Sequence, residues 1–236
     1  MSSLLTSTTL ARADLTDADI QAMFSVFCEN FDGASLEIFE RDLQNKNWVI
    51  LLRDAATLTL QGFSTLSLYE TRYNGQPISV VYSGDTIIRP AYWGTPELPT
   101  AWIKTVLEKS ANMPQPLYWL LISSGYKTYR FLTVFYKDFY PRHNKPTPPE
   151  TQSILQQLAS ERFGADYLPD KGIVRFKDGA TPLREGVAEV TDERLRDPHV
   201  AFYIQANPGH AHGDELVCIT RIHLDNFTPA GKRMAR

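Results

Sequence analysis

The sequence predicts a mixed α/β fold, a mostly antiparallel sheet flanked by helices. Three observations carry that expectation. Asn74-Gly75 joins two long β-rich runs, and this dipeptide accepts positive φ at both turn positions, so Leu58–Arg72 and Ile78–Ile88 form an antiparallel hairpin. Helical apolar spacing precedes the hairpin, at Ile20, Met23, Phe24 and Phe27 and again at Leu36, Phe39 and Leu43. Helix and strand signals alternate after it, yet so long an antiparallel hairpin excludes a purely parallel doubly wound sheet.

The elements follow in order. Thr8–Arg12 is a short strand candidate, and Asp14-Leu15-Thr16-Asp17 caps a helix over about 18–30. Ser35 caps a second helix, Leu36–Gln44, and Trp48–Leu52 is a short apolar strand. In the second hairpin arm Ser83-Gly84 interrupts the run, and a lone glycine in a strand marks a bulge. Arg89-Pro90 ends that arm, Tyr92–Pro96 is a loop, and a helix runs from Glu97 to about Ala111. Pro99 fits only in the first turn of that helix, where the missing N–H costs nothing. Leu117–Ile122 is a buried strand, Ser123-Ser124-Gly125 a turn, and Tyr126–Tyr140 an aromatic segment stopped by Pro141. Four prolines in Pro141–Pro149 mark a connector. Beyond it the patterns predict a helix at Glu150–Phe163, a strand at Gly172–Phe176, a helix at Asp192–Gln205, a strand at Glu215–Leu224 and a frayed basic tail after Phe227. Residues 8–142 thus read as the main α/β unit and 150–227 as an α/β extension packed on it or completing the sheet.

Composition narrows the function. Of 236 residues, 43% are hydrophobic and 22% charged, which suits a packed core and excludes wholesale disorder. The formal net charge of -3 argues against nucleic-acid binding through bulk positive charge. No apolar run reaches the ~20 residues of a membrane span. Met1–Thr9 lacks the basic and apolar regions of a signal peptide. Cys28 and Cys218 form no CxxC pair, which excludes a cysteine zinc site and suits the reducing cytosol, so a cytoplasmic location is expected.

The segment Ile78–Lys109 carries the chemistry. A strand that bulges, ends at a proline and enters a helix through a glycine loop presents backbone N–H groups at a helix N-terminus, which is an anion site suited to a pyrophosphate. Each such dipole contact is worth only ~0.3–1 kcal/mol, so several must converge.

At these residues the chain resembles the GNAT N-acetyltransferase superfamily, whose order is a strand, two helices, three antiparallel strands, a helix, a strand and a helix. The family's fourth strand ends in a pattern like V-x-P-x-x-R/Q-G-x-G/A-x-x-L. Here the run is Ile88-Arg89-Pro90-Ala91-Tyr92-Trp93-Gly94-Thr95-Pro96-Glu97-Leu98. Pro90 and Gly94 match, Trp93 replaces Arg or Gln, and Pro96 replaces the second glycine. Leu10-Ala11-Arg12-Ala13, followed by Asp14 to Asp17 and Ile20 to Phe27, is similar to the family's opening, and the resemblance spans about residues 8–140.

The resemblance implies a GNAT-like acyltransferase fold with a C-terminal α/β extension. It implies acyl transfer from an acyl-CoA or acyl-carrier thioester, acetyl or longer, to an amine of a small molecule or peptide. The pantetheine would lie between strands four and five, along Ile87 and Ile88, with the carbonyl polarised by a backbone N–H near Ser83–Asp85. The pyrophosphate would meet Trp93, Gly94, Thr95 and Leu98. Ser123 and Ser124 stand where the family carries an Asn and would hydrogen-bond the pantetheine. The family often protonates the leaving thiolate with a tyrosine on the helix after strand five, which points to Tyr129 or Tyr136. An amine nucleophile must also lose a proton, and Asp85, then Glu70, are the carboxylate candidates. Pro96 has no N–H, so one phosphate donor is lost.

Two other readings remain. One is a GNAT-like module that binds without turnover. The other is a metal-dependent hydrolase built on His210-Ala211-His212-Gly213-Asp214, an HxHxD pattern in which Glu215 replaces the usual following His. An exposed polar loop or a lid is the more economical account of that segment, and no metal is expected. Arg130, Lys137, Arg142, His143 and Lys145 form a modest basic cluster, read as a solvated face or a site for a phosphate. No P-loop, GxGxxG or G-x-S-x-G pattern occurs.

Overall fold

A computed structural model describes residues 4–177, 181–187 and 189–236. The main unit contains β1 (Leu5–Ala11), α1 (Asp17–Asn30), α2 (Leu36–Leu43), β2 (Trp48–Asp54), β3 (Leu60–Tyr73), β4 (Gln76–Ile88), α3 (Glu97–Lys109), β5 (Leu117–Ser123) and α4 (Tyr126–Phe135). There follow β6 (Phe139–Tyr140), α5 (Pro149–Phe163), β7 (Tyr167–Leu168), β8 (Ile173–Val174), α6 (Asp192–Leu195), α7 (Pro198–Ala206), β9 (Glu215–Arg221) and α8 (Pro229–Met234).

One sheet holds the strands in the order β1-β2-β3-β4-β5-β9-β8-β7, with β6 also on β9. Every pairing is antiparallel except β4 with β5. The β3–β4 turn has Asn74 at φ 49 and Gly75 at φ 77, the two positive angles that Asn-Gly supplies at least cost. Side chains alternate between faces, as strands require. Val80, Tyr82, Leu120 and Ile219 pack under Ile154, Leu155 and Leu158 of α5. Their neighbours Val81, Leu121 and Cys218 face Trp102, Tyr129, Leu132 and Tyr203 of α3, α4 and α7. The α1–α2 pair covers the first-named face over β2–β4, with Met23, Phe27 and Phe39 on Leu51 and Phe63.

Four expectations change. Pro198 divides the helix expected over Asp192–Gln205, since Pro198 has no N–H to continue the ladder. Asp197 then caps α7 by accepting from the His199 N–H at 2.9 Å. The aromatic segment ends its helix at Phe135, and Phe139–Tyr140 become a strand on Thr220 and Ile219. The tail after Phe227 is not frayed. Thr228 caps α8, its own N–H donates to Phe135 O at 3.0 Å, and buried Gly231 lies against Phe135 and Phe227. The first strand starts at Leu5, earlier than Thr8, and pairs along its whole length with β2. The segment 150–227 shares the sheet of the main unit, because β9 pairs with β5 over Tyr118–Ser123.

Candidate functional site

The site begins with a change of register. Leu66 pairs with Ser83 and Ser64 with Thr86, so β4 holds one residue more than β3 in this interval, and the bulge lies at Gly84–Asp85. From that point β4 and β5 part. They pair only over Ser79–Ser83 with Leu117–Leu121, while β4 runs on to Ile88 and β5 to Ser123.

The bulge also turns the main chain. Ser79 donates its N–H to Pro116 O on the β5 side, whereas Arg89 donates to Gln61 O on the β3 side. Alternation then gives Ile87 the β3 side and leaves the main-chain groups of Thr86 and Ile88 facing the opening. The Trp93 Nε1–H donates to Ile88 O at 2.8 Å, which agrees with that direction.

Two cavities meet at the opening. One, of about 500 Å³, lies among β4, the Tyr92–Thr95 loop, α3 and the start of α4. The other, of about 340 Å³, lies on the α1–α2 face and is floored by the bulge. Phe31, Thr86, Ser124 and Thr128 line both, so the sheet is open from face to face at the point where β4 leaves β5.

The larger cavity gathers most of the residues expected on the donor side: Ile87, Ile88, Trp93, Gly94, Thr95, Leu98 and Ser124. Ser123 is not among them. Its hydroxyl donates to Gly125 O at 2.8 Å, and its carbonyl accepts from the Tyr203 hydroxyl at 2.9 Å. The loop is anchored beneath. Arg89 donates to both oxygens of Glu29 at 2.7 and 2.5 Å and to Leu60 O, and Tyr92 donates to Asp54 at 2.8 Å. Gly94 sits at φ 85, a conformation that a side chain would strain. Lys127 Nζ lies 3.1 Å from the centre of the Trp93 ring and donates to Val187 O at 2.7 Å. Burial, reinforced by Arg194, pulls the Lys127 pKa down to about 8.

The smaller cavity holds three carboxyl groups. Asp85 and Glu215 line it together with Asp42. Both keep some solvent contact through the cavity and are enclosed by protein elsewhere. Burial first, then Asp42, pushes the Asp85 pKa up to about 7 against the pull of Lys46. Burial raises Glu215 to about 8, opposed by a hydrogen bond from Ser124 and assisted by the charges of Asp85 and Asp42. The Glu215 position was not singled out as a site from sequence. Its only signal was its place after the HxHxD run, and its relevance depends on β9 lying beside β5.

Three expected groups lie away from the opening. Glu70 is exposed on β3, accepts from Gln115 Nε2 and lines neither cavity. Tyr129 is fully buried in the core and donates to Pro141 O at 2.9 Å. Tyr136 is likewise buried, between Trp119 and Phe227. Burial drives both phenols far above the usual tyrosine range. Aromatic packing accounts for both positions. Tyr126 and Tyr92 are the tyrosines that line the larger cavity among the described residues.

The HxHxD segment is occupied by structural contacts. Arg175 donates twice to Asp214, at 2.7 and 2.6 Å, and holds its carboxyl below the usual range. His210 Nδ1 lies 2.9 Å from Asn207 O. Among the described residues no group of His, Cys, Asp and Glu is arranged to hold a metal, and the Asp214 carboxylate on which the hydrolase reading relies is engaged by Arg175. Of the basic cluster, Arg142 and Lys145 pair with Asp138, Arg130 pairs with Asp197, and only Arg130 reaches the larger cavity. No described helix is long and apolar enough to cross a membrane.

No family model matches the chain, and no curated protein matches it. Solved structures are similar to it at low identity. A GNAT-family N-acetyltransferase from Escherichia coli in complex with CoA is 11% identical, with a TM-score of 0.40 over 56% of this chain and 70% of that one. Saccharomyces cerevisiae N-myristoyltransferase with bound myristoyl-CoA gives 14% and 0.42, over 52% of this chain and 30% of that one. A Trypanosoma brucei acetyltransferase gives 15% and 0.41, over 61% and 99%. Likeness at this level bears on no chemistry, and the fold is read from the chain itself. A strand, two helices, three antiparallel strands, a helix, a parallel fifth strand parted from the fourth at a bulge, and a further helix are the order that the GNAT-like resemblance of the sequence implies.

Proposed function

We propose that the chain is an N-acyltransferase that moves an acyl group from an acyl-CoA or related thioester to an amine. The observation that carries this reading is the opening between β4 and β5, with a cavity on each face of the sheet and titratable carboxyls on one side only. The thioester arm enters through the larger cavity. Lys127 and Arg194 stand there beside the starts of α3 and α4, and a phosphate would offset the burial, and the Arg194 charge, that depress Lys127. The Thr86 N–H, first beyond the bulge to face the opening, is the donor to the carbonyl oxygen. A donor in that role is worth ~3–4 kcal/mol in the transition state.

Asp85, poised near neutrality, takes a proton from the bound ammonium. The freed nitrogen lone pair forms the C–N bond, and the carbonyl becomes the oxyanion. Its collapse breaks the C–S bond. Glu215, still protonated at pH 7, passes a proton through the Ser124 hydroxyl to the leaving thiolate. The second proton lost by nitrogen restores the Glu215 carboxyl, and Asp85 returns its proton to water. Tyr129, Tyr136 and Glu70 have no part in this scheme.

The test is turnover by the full chain with acetyl- and longer acyl-CoAs and an amine panel, read as free thiol. Asp85→Asn should lower the rate ~10²–10⁴-fold with CoA affinity retained. Absence of thiol release, or a variant as fast as the parent, refutes the reading. Two observations favour the binding-module alternative: Trp93 already occupies Ile88 O, a main-chain group that would pair with a pantetheine amide, and Pro96 offers no N–H at the start of α3. Tight CoA binding without turnover, unaffected by Asp85→Asn, would support that alternative.

A further inference from the structure

The smaller cavity has a consistent chemical character. Its wall carries Phe31, Ile38 and Phe176, all half-buried, so apolar surface is presented to whatever fills it. Its floor carries Asp42, Asp85 and Glu215. Three cations lie nearby, and Arg162 is stacked 3.5 Å from the ring centre of Tyr82, which lines the cavity. Lys46 is fully buried and engaged with Asp42 at 2.5 Å, and Arg41 is exposed at the rim. Among the described residues no ion pair joins Asp85 or Glu215 to a cation, although Lys46 pulls on Asp85.

Gly84 shapes this floor. A Cβ there would come within 2.5 Å of Lys46 Cε and 2.6 Å of Thr65 Oγ1, so the bare backbone lets both side chains close on the bulge. The Thr65 hydroxyl is buried and has no hydrogen-bond partner, although it abuts a residue of the floor. The site therefore sets two carboxyls at a closed floor, under an aromatic wall.

We infer that the acceptor is a small primary amine carried on an apolar, preferably aromatic, body. This rests on the acyl-transfer reading and names the acceptor for it. The ammonium supplies the missing charge over Asp85 and Glu215, and phenyl rings also attract it. The apolar body replaces water against Phe31, Ile38 and Phe176. An acidic acceptor would meet like charge. An amino sugar would leave the hydroxyls that face Phe31, Ile38 and Phe176 without hydrogen-bond partners there, although Asn45 and Thr128 could serve others. A polyamine would bring extra ammonium groups and little apolar surface. The volume, about 340 Å³, is at the low end for ligand cavities and suits a compact molecule.

An entering cation also favours the ionised form of Asp85, so binding near pH 7 releases protons, while Glu215 stays protonated. The test is calorimetry of the full chain with 2-phenylethylamine, spermidine and glucosamine, with and without CoA, in two buffers of different ionisation enthalpy. The expected result is binding of 2-phenylethylamine at least tenfold tighter than the other two, with a heat that depends on the buffer. Phe176→Ala should weaken it severalfold while CoA affinity is retained. Equal or tighter binding of spermidine or glucosamine, no binding of any amine, or a heat independent of the buffer overturns the inference. Acyl transfer to a different acceptor class would sink the inference and leave the transferase intact. Amine binding as expected, without thiol release from any acyl-CoA, would sink the transferase alone.

Discussion

Gly84→Ala probes the bulge on which the site is built. Gly84 does not have a left-handed φ, so the substitution tests space and not backbone strain. The new methyl would lie 2.5 Å from Lys46 Cε, 2.6 Å from Thr65 Oγ1 and 3.0 Å from Lys46 Nζ, and ordinary contacts begin near 3.4 Å. Thr65 is β-branched, fully buried and stiff at χ1. Lys46 is flexible in principle, but its side chain is enclosed and tied to Asp42. Overpacking of this kind costs ~1–3 kcal/mol. At ~2–4 °C per kcal/mol for a chain of this size, a loss of ~2 kcal/mol lowers Tm by ~4–8 °C. Thermal unfolding and urea denaturation measure it. Thr65→Ala removes one of the contacts, so Gly84→Ala made in that background should cost less, with a coupling of ~0.5 kcal/mol or more. Strictly additive effects, or a Gly84→Ala protein as stable as the parent, would refute the account of a floor closed around a missing Cβ.

Three further outcomes follow from the geometry. Asp85 and Glu215 hold their protons to higher pH when folded than when unfolded, so they favour folding at acid pH, and that contribution is lost as pH rises from about 4 through about 7 and about 8. Asp85→Asn and Glu215→Gln should therefore raise Tm relative to the parent above pH 8 and flatten its decline with pH, as read by thermal unfolding across pH. Arg89→Met removes the two bonds to Glu29 and the one to Leu60 O. Both side chains are partly exposed, so the expected loss is only ~1–2 kcal/mol, with weaker CoA binding in calorimetry. Tyr129→Phe should cost ~1 kcal/mol through the lost bond to Pro141 O and leave kcat within about threefold of the parent in the thiol assay; a hundredfold fall would return Tyr129 to the chemistry.

Local signals made the backbone of the site legible. Asn74-Gly75 sets a turn that only positive φ satisfies, and Gly84 within an apolar run announced the bulge that the register shift locates at Gly84–Asp85. The loop from Arg89 to Pro96 and its glycine at φ 85 were equally plain. Roles that depend on distant pairing were not. Tyr129 and Tyr136 follow β5 closely in the chain, but helix phase and the packing of α7 and Phe227 turn them into the core. Glu215 lies far from Asp85 in sequence and nears it only because β9 is laid beside β5. Pro198 shows the opposite case, a local breaker overlooked within an apolar run.

The placement of β9 has a consequence for how the molecule is made. Tyr118–Ser123 receives its outer neighbour from Leu216–Arg221, almost a hundred positions later. Until the ribosome has released that stretch, one side of β5 presents a row of bare amides and carbonyls, the kind of surface that recruits another chain. A fragment ending in the proline-rich connector would carry the same bare row permanently, and would be expected to self-associate instead of standing alone.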